Sequence, residues 1–212
     1  MKNQETIHKL SQDFLSRLKL PAKKSDSSFV IAIIGLVGSG RTTVAKRIAE
    51  CVSGAVLVQS NSARFLLKEA GLPWGENVRQ ILKEVAKDLL SKGYGVVFDG
   101  NASDKEDRKN IYEIVRGTGA KTFYVRITID PELAKEREQK KYDVPDWISS
   151  FEDFRVNTTK KMLKNIDDRI ELYRVLRLDQ ILNLVGDIDN NGTLKDLNQQ
   201  IDQIVLRIKQ SP

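Results

Sequence analysis

A chain of 212 residues is long enough for one substantial α/β domain and short for two independent ones. With 40% hydrophobic residues, 30% charged residues and a net charge of +6, it is not a disordered chain; the charge suits a phosphate-rich ligand, although a lysine-rich solvated surface explains it equally well. The single cysteine, Cys51, excludes an internal disulfide, and the single histidine, His8, excludes a histidine-built metal site.

Helical spacing of apolar residues predicts an amphipathic helix in the first twenty residues, followed by a polar break that ends at Ser28. The run from Phe29 to Ile34, rich in Val and Ile, is typical of a strand buried on both faces of a parallel sheet. The longer apolar run to Val37 is too short to span a bilayer and ends in glycines instead of a cleavage site. We therefore expect a cytoplasmic protein with no membrane partner.

Strands and helices alternate from this point onward. The predicted strands are residues 29–34, 55–59, 95–98, 121–128 and 181–185. Helices are predicted at 42–52 and 62–69 and from the apolar spacings in 78–89, 111–115, 166–176 and 194–208. Helix starts carry capping signals at Ser103 with Glu106, at Asp130 with Pro131, and at Thr193. The alternation predicts an α/β fold with a doubly wound, five-stranded parallel sheet and helices on both faces.

The interpretation as one domain is the economical one. Residues 1–28 would form an N-terminal helix and linker, and residues 29–212 the α/β domain. The polar stretch 140–160, with Pro145 and Trp147, interrupts the alternation and is a candidate flap.

A phosphate-binding pattern follows the first strand. Gly-x-x-x-x-Gly-Lys-Ser/Thr is matched from Gly35 to Thr42 at every position except the lysine, which is Arg41. Glycines permit positive φ and close backbone approach, so the N–H groups of this phosphate loop (residues 35–43) form a nest for phosphate oxygens beside a helix N-terminus. The predicted nucleotide contacts are Gly35, Val37, Gly38, Ser39, Gly40, Arg41, Thr42 and Thr43, and Thr42 is also a predicted Mg²⁺ ligand. A glycine-rich turn that binds nothing is the alternative.

Arg41 preserves the positive charge of the usual lysine but replaces a compact ammonium by a wide planar fork. A bidentate grip on one phosphate would preserve nucleotide binding. The substitution leaves two interpretations open, an active enzyme and a nucleotide-binding protein with impaired catalysis.

With these motifs the chain resembles the P-loop nucleoside and polynucleotide kinase-like ATPases, the AAA-type kinases related to polynucleotide kinase and zeta toxin, from about residue 29 to the final helix. The resemblance implies ATP and Mg²⁺ as cofactors and transfer of the γ-phosphate to a hydroxyl acceptor that the sequence does not identify. Such kinases carry Ser-Asp-x-x-Arg after the second strand, where the Asp orients or deprotonates the hydroxyl and the Arg holds substrate or phosphate. This chain has Ser60, Asn61 and Arg64 at those positions. The Asn61 amide can position a hydroxyl but cannot act as its base, and plain helix capping is the alternative role for Ser60 and Asn61.

The third strand ends in Asp99, which resembles the family's Walker-B-like carboxylate and is the second predicted Mg²⁺ ligand. Asn101 and Arg108 match polar residues found downstream in the family. A lid at about 135–160 is implied, and the candidate lid cations are Arg137, Lys140, Lys141 and Arg155. Arg137 is the best placed, and a solvated charged helix is the alternative.

The turn Asp189–Gly192 resembles the one that borders the adenine in such kinases, and Asn190 is counted among the nucleotide contacts. An alternative is calcium binding, because Asp187, Asp189, Asn191 and Gly192 match positions 1, 3, 5 and 6 of an EF-hand loop, although Asn198 stands in place of the final Glu.

Two further interpretations concern function. The departures at Arg41 and Asn61 fit a regulator, or pseudokinase, that binds ATP without efficient phosphoryl transfer. The basic charge balance also permits a polynucleotide 5′-hydroxyl end as the acceptor, without an aromatic–basic stacking pattern that argues for it.

Overall fold

A computed structural model describes residues 2–100, 102, 105–140, 166–170 and 183–210. The helices are α1 (Lys2–Arg17), α2 (Arg41–Cys51), α3 (Ser60–Glu69), α4 (Glu76–Ser91), α5 (Lys105–Thr118), α6 (Pro131–Lys140) and α7 (Leu194–Gln210), and residues 166–170 are also helical. The strands are β1 (Phe29–Gly35), β2 (Ala55–Gln59), β3 (Gly95–Asp99), β4 (Lys121–Thr128) and β5 (Leu184–Asp189).

All five strands run parallel in one sheet, in the order β2-β3-β1-β4-β5. The predicted doubly wound, five-stranded parallel sheet is therefore confirmed. The chain runs to one side of β1 for β2 and β3 and to the other side for β4 and β5, so the strand order reverses beside β1. In open α/β sheets, ligands bind outside the carboxyl ends of the strands at such a reversal.

Strand β1 is buried on both faces, as its continuous apolar sequence predicts. Val30, Ala32 and Ile34 belong to a hydrophobic cluster formed with α1, α3, α4 and α5, whereas Ile31 and Ile33 belong to a cluster formed with α2 and α7. All five side chains are 0% exposed. The loop that follows β1 therefore begins at the end of a strand that is buried on both faces.

The N-terminal helix predicted from apolar spacing is present as α1. It packs against α4 and α3, and its residues Ile7 and Phe14 lie in the same cluster as Val30 of β1. The first helix therefore contributes to the core that the later elements share. Of the helices in the described residues, none combines the length and apolar character that a bilayer crossing requires.

The bounds of β2 and β4 agree with the sequence prediction, and the predicted fifth strand is present but ends later than expected. It covers Leu184–Asp189, four residues beyond the predicted end at Val185, and residues 181 and 182 lie outside the described residues. Among the described strands, β5 pairs only with β4, and it alternates an exposed Asp187, a buried Ile188 and an exposed Asp189. An edge strand with one solvated face lacks the continuous apolar run that marks central strands.

The calcium-binding alternative is also wrong. Asp187 and Asp189 lie within β5, and the Asp187 carboxylate pairs with the Arg126 guanidinium of β4. An EF-hand requires its acidic positions in a loop between two helices.

Two of the three predicted helix caps are present, and the third, at Ser103, lies outside the described residues. The Asp130 carboxylate accepts hydrogen bonds from the backbone N–H groups of Glu132 and Leu133, at 2.9 and 3.2 Å. At α7, the Thr193 backbone N–H donates to the Asp196 carboxylate at 2.9 Å, and the Thr193 hydroxyl accepts from the Asp196 N–H at 3.3 Å. These reciprocal bonds form a capping box.

Removing the α7 cap is expected to lower stability in a pH-dependent way. Hydrogen bonds from the Thr193 side chain and backbone lower the pKa of Asp196. Because that pKa is lower in the folded state, the ionised Asp196 stabilises the fold above its ordinary pKa, and this stabilisation is lost as the pH falls through the lowered value. We expect Thr193→Ala to lower the midpoint of thermal unfolding by roughly 2–4 °C at neutral pH. The difference in unfolding midpoint between the variant and the wild type should become smaller in acid. A difference in midpoint that stayed constant down to pH 2 would contradict the role of Asp196.

Candidate active site

The phosphate loop joins β1 to α2 and has the conformation that its glycines predict. Gly38 and Gly40 have positive φ values of 80° and 88°. Gly40 is the N-cap of α2 and lacks any side-chain capping bond, and the first helical hydrogen bond runs from the Val44 N–H to the Gly40 carbonyl at 3.0 Å. The N–H groups of the first turn of α2 therefore have no acceptor within the helix, and they carry the positive end of its dipole.

The loop glycines leave no room for side chains. A Cβ atom on Gly35 would lie 2.5 Å from the Ser39 Oγ, and one on Gly40 would lie 2.5 Å from the Asn190 Nδ2. A Cβ on Gly38 would lie 2.2 Å from the backbone oxygen of Ala134 in α6. The loop is thus packed directly against α6 and against the turn that follows β5.

The Ser39 side chain of the phosphate loop carries a buried hydroxyl without a hydrogen-bond partner in the described part of the chain. The residue as a whole is fully buried. Leaving a buried hydroxyl unpaired costs about 1–3 kcal/mol. This unpaired hydroxyl therefore lies within the loop that carries the N-terminus of α2.

The two predicted Mg²⁺ ligands lie together at the carboxyl edge of the sheet. The Thr42 hydroxyl donates to one oxygen of Asp99 at 3.2 Å, and the Gln59 amide donates to the other oxygen at 3.1 Å. Asp99 is the last residue of β3 and only 9% exposed. A hydroxyl and a carboxylate oxygen suit Mg²⁺, which takes one or two protein oxygens and completes its shell with phosphates and water.

The sequence prediction did not include Gln59. It is the last residue of β2 and is the register partner of Asp99 on the neighbouring strand. The sequence shows that both residues end a strand, but only the pairing of β2 with β3 places them side by side.

Two arginines approach each other near the loop. The Arg41 guanidinium donates to the Gly35 carbonyl at 2.9 Å. The Arg64 guanidinium donates to the Asn61 side-chain oxygen at 2.7 Å and lies 5.8 Å from the centre of the Trp74 ring. Burial lowers the pKa of Arg64, and the positive charge of Arg41 lowers it further. Both cations therefore act in one region of the site, where an anionic ligand would relieve their repulsion.

Two roles were predicted for Asn61, positioning a hydroxyl and capping a helix, and the structure does not show the capping role. Helix α3 begins without a side-chain capping bond, so capping is not what Asn61 or Ser60 does in this structure. The Asn61 side-chain oxygen is instead used to hold Arg64.

The other predicted contacts differ in exposure and in their hydrogen-bond partners. In the loop, Val37 is half-buried and Thr43 is exposed. Arg137 is half-buried in α6, one turn beyond the Ala134 carbonyl that abuts Gly38. Lys140 is exposed and pairs with Glu136 of the same helix. The Arg108 guanidinium donates to the Ala102 carbonyl at 3.0 Å, and the candidates Asn101, Lys141 and Arg155 lie outside the described residues.

Asn190 lies at the phosphate loop and is 5% exposed. Its side-chain amide donates to the Ser39 carbonyl at 2.8 Å, and its backbone N–H donates to the Thr128 carbonyl at 3.0 Å. The structure therefore brings together the loop, Thr42, Asp99, Arg64 and Asn190 at one edge of the sheet.

Comparison with known proteins agrees with this geometry. Residues 30–168 match a family model described as an AAA domain. The chain is 27% identical over 202 residues to 6-phosphofructo-2-kinase/fructose-2,6-bisphosphatase 4 of Macaca fascicularis, which covers 84% of the chain and 42% of that protein. The chain thus spans less than half the length of this curated relative.

Similar solved structures include kinases. A gluconokinase from Sinorhizobium meliloti 1021 has a TM-score of 0.55 at 16% identity, covering 85% of this chain and 93% of that one. The Mycobacterium tuberculosis APS kinase CysC in complex with AMPPNP and APS has a TM-score of 0.54 at 16% identity, covering 89% and 99%. The tunicamycin resistance protein of Deinococcus radiodurans has a TM-score of 0.58 at 14% identity, covering 87% and 97%. The likeness to these structures is one of fold. Because the family model spans more than half of the sequence, the chain belongs to the AAA domain family, and its fold is that of the P-loop kinases.

Proposed function

We propose that this chain is an ATP- and Mg²⁺-dependent phosphotransferase that transfers the γ-phosphate to a hydroxyl-bearing acceptor. The observation that carries the proposal is the Thr42–Asp99 contact beside the phosphate loop. These two oxygen ligands, next to a nest of N–H groups, are what a P-loop enzyme offers to a metal-bound triphosphate. The kinases among the similar proteins support the same reaction class.

The residues divide the work of binding and positioning. The loop N–H groups would bind phosphate oxygens, and Arg41 would exchange its bond to the Gly35 carbonyl for one to phosphate. Mg²⁺, when bound by Thr42 and Asp99, would neutralise charge on the phosphate oxygens.

On the acceptor side, Arg64 is held by Asn61 and by the ring of Trp74, so its guanidinium is preorganised to orient the acceptor. Asn61 would position the acceptor hydroxyl without removing its proton. A loose phosphoryl-transfer transition state depends more on positioning and charge than on a strong base. Arg137, in α6 beside the loop, is the proposed lid contact.

The grip of Arg41 is tested by calorimetric titration with ATP in the presence of Mg²⁺. A charge-assisted hydrogen bond contributes about 1.5–3 kcal/mol, so we expect Arg41→Ala to weaken binding about tenfold or more. Arg41→Lys keeps the charge and should stay within a few-fold of wild type. Absence of any heat of binding by the wild-type protein at millimolar ATP and Mg²⁺ would show the proposal to be wrong.

The acceptor is sought in the same preparation by measuring ADP formation with a panel of sugars, nucleosides and oligonucleotides with free 5′-hydroxyl ends. Oligonucleotide binding that was insensitive to salt would argue against an electrostatic nucleic-acid mode.

A second candidate function is a nucleotide-binding regulator. It is favoured by two observations: the Arg41 guanidinium occupies a backbone carbonyl of the loop, and the Asn61 side-chain oxygen is used by Arg64. The deciding comparison is wild type against the double variant Arg41→Lys/Asn61→Asp. Turnover that appears only in the double variant favours the regulator, and equal turnover in both excludes it.

A further inference from the structure

The turn after β5 is bonded to three different elements at once. Its residue Asn190 reaches the end of β4 through the backbone and the phosphate loop through the side chain, at 3.0 Å from Thr128 and 2.8 Å from Ser39. Its residue Asn191 accepts a hydrogen bond from the Asp130 N–H at 2.7 Å, at the start of α6. This turn therefore connects the phosphate loop to the end of β4 and to the start of α6.

Asn190 acts on the backbone of the phosphate loop. Its side chain is 5% exposed, and the amide donor is used by the Ser39 carbonyl. The same amide nitrogen fills the space where a side chain on Gly40 would lie. The buried Asn190 amide thus contacts the loop backbone at both Ser39 and Gly40. These contacts restrain the shape of the loop, and that shape determines where its N–H groups point.

Asn191 joins the start of α6 to the end of β5 through the two ends of its amide. The oxygen accepts from the Asp130 N–H, and the nitrogen donates to the Asp189 carboxylate at 2.6 Å. The Asn191 backbone N–H donates to the same carboxylate at 3.0 Å. Asp130 in turn caps α6, whose Ala134 carbonyl abuts Gly38. The contacts thus form a closed ring from the loop through the turn to α6 and back to the loop.

The turn is anchored from α7 as well. The Gln200 side chain accepts from the Asp189 N–H and donates to the Asp189 carbonyl, both at 2.8 Å. Two hydrogen bonds from one amide hold the base of the turn in a single position. A substitution at Asn190 or Asn191 should therefore shift the phosphate loop and not the turn.

We propose that Asn190 and Asn191 form a clasp: they are positioning residues that hold the phosphate loop against α6 and set the affinity for the polyphosphate, independently of the base. Where the ligand is ATP, this inference rests on the function proposed above. It gives Asn190 a role distinct from a contact with adenine.

The first test uses ATP and inorganic tripolyphosphate as matched probes, each titrated calorimetrically with Mg²⁺. Asn190→Ala removes a hydrogen bond and leaves a buried carbonyl unpaired, so we expect both ligands to bind about tenfold more weakly, by the same factor. Weakening of ATP alone would mean that Asn190 reads the base and would overturn the clasp.

The second test exchanges the donor and the acceptor of the hydrogen bond between Asn191 and Asp189. Asn191→Asp removes the donor and places a carboxylate opposite Asp189, so both ligands should bind about tenfold more weakly. Adding Asp189→Asn restores a donor facing a carboxylate, and affinity for both ligands should return to within about twofold of wild type. Hydrogen exchange of the ligand-free loop should follow the same order, faster in the single variant and restored in the double one.

Failure of the exchange to restore either affinity or protection would overturn the inference. A wild-type protein that binds tripolyphosphate but transfers no phosphoryl group from ATP would contradict the proposed transferase and leave the clasp in place. A wild-type protein that binds neither probe would overturn both.

Discussion

Gly38→Ala is expected to abolish nucleotide binding, with a loss of affinity of about a hundredfold or more. The new Cβ would lie 2.2 Å from the oxygen and 2.9 Å from the carbon of the Ala134 carbonyl. Because these are backbone atoms of α6, relief requires the loop and the helix to separate, and loss of even two charge-assisted phosphate contacts corresponds to about 3–6 kcal/mol. The measurement is calorimetric titration with ATP and Mg²⁺, together with thermal unfolding of the variant.

Gly71→Ala is the matched control for backbone strain. Gly71 also has a positive φ, 66°, but a Cβ there would meet no atom within 4 Å. A left-handed alanine costs about 1–2 kcal/mol in either variant, so Gly71→Ala should lower stability and leave ATP affinity unchanged. If Gly38→Ala bound ATP as the wild type does, the close approach of the loop to α6 would have no role in binding.

Asp99→Asn is expected to remove the dependence of ATP binding on Mg²⁺ and to lower turnover about 10²–10³-fold, as loss of a few kcal/mol of metal assistance predicts. The amide keeps the size of the carboxylate and an oxygen that accepts from Thr42, but it loses the charge that holds a divalent cation. Titrations in Mg²⁺ and in EDTA should therefore give nearly equal affinities in this variant. ADP formation reports the loss of turnover.

The control for loss of a carboxylate is Asp202→Asn. Asp202 is an exposed partner of Arg47 at 3.5 Å, on helices that flank the sheet. An exposed ion pair contributes little, so this variant should retain the Mg²⁺ dependence. Retention of full Mg²⁺ enhancement by Asp99→Asn would exclude Asp99 as a metal ligand.

The sequence predicted the central part of the fold well because burial leaves a clear pattern there. The run 29–34 identified β1, and the glycines and strand–helix context located the phosphate loop that the structure shows beside it. Asp130 and Thr193 were found because capping depends on neighbours within three residues. Where the pattern was weaker, at the edge strand β5, the prediction was displaced toward more apolar residues.

What the sequence could not give were contacts set by the register of distant segments. Gln59 looks like an ordinary polar residue at a strand end until the pairing of β2 with β3 places it opposite Asp99. Asn191 appeared only within the adenine-bordering turn and the calcium-loop pattern, and its bond to the Asp130 N–H depends on how β4 and β5 align. The Asn61–Arg64 contact is different, since three-residue spacing on a helix already allows it.

During translation, β1 is synthesised well before β3 and β4, its neighbours in the sheet. The strand lies between β3 and β4, which follow it by three and four helices respectively, and the turn carrying Asn190 comes later still. A nascent chain therefore exposes its most apolar strand while both hydrogen-bonding edges are unpaired, and pairing across such sequence separations is intrinsically slow. The early helices α2 and α3 are the elements at hand to cover that strand during synthesis. The phosphate loop, made before four of the five strands, reaches its final shape only when the last of these strands has been added.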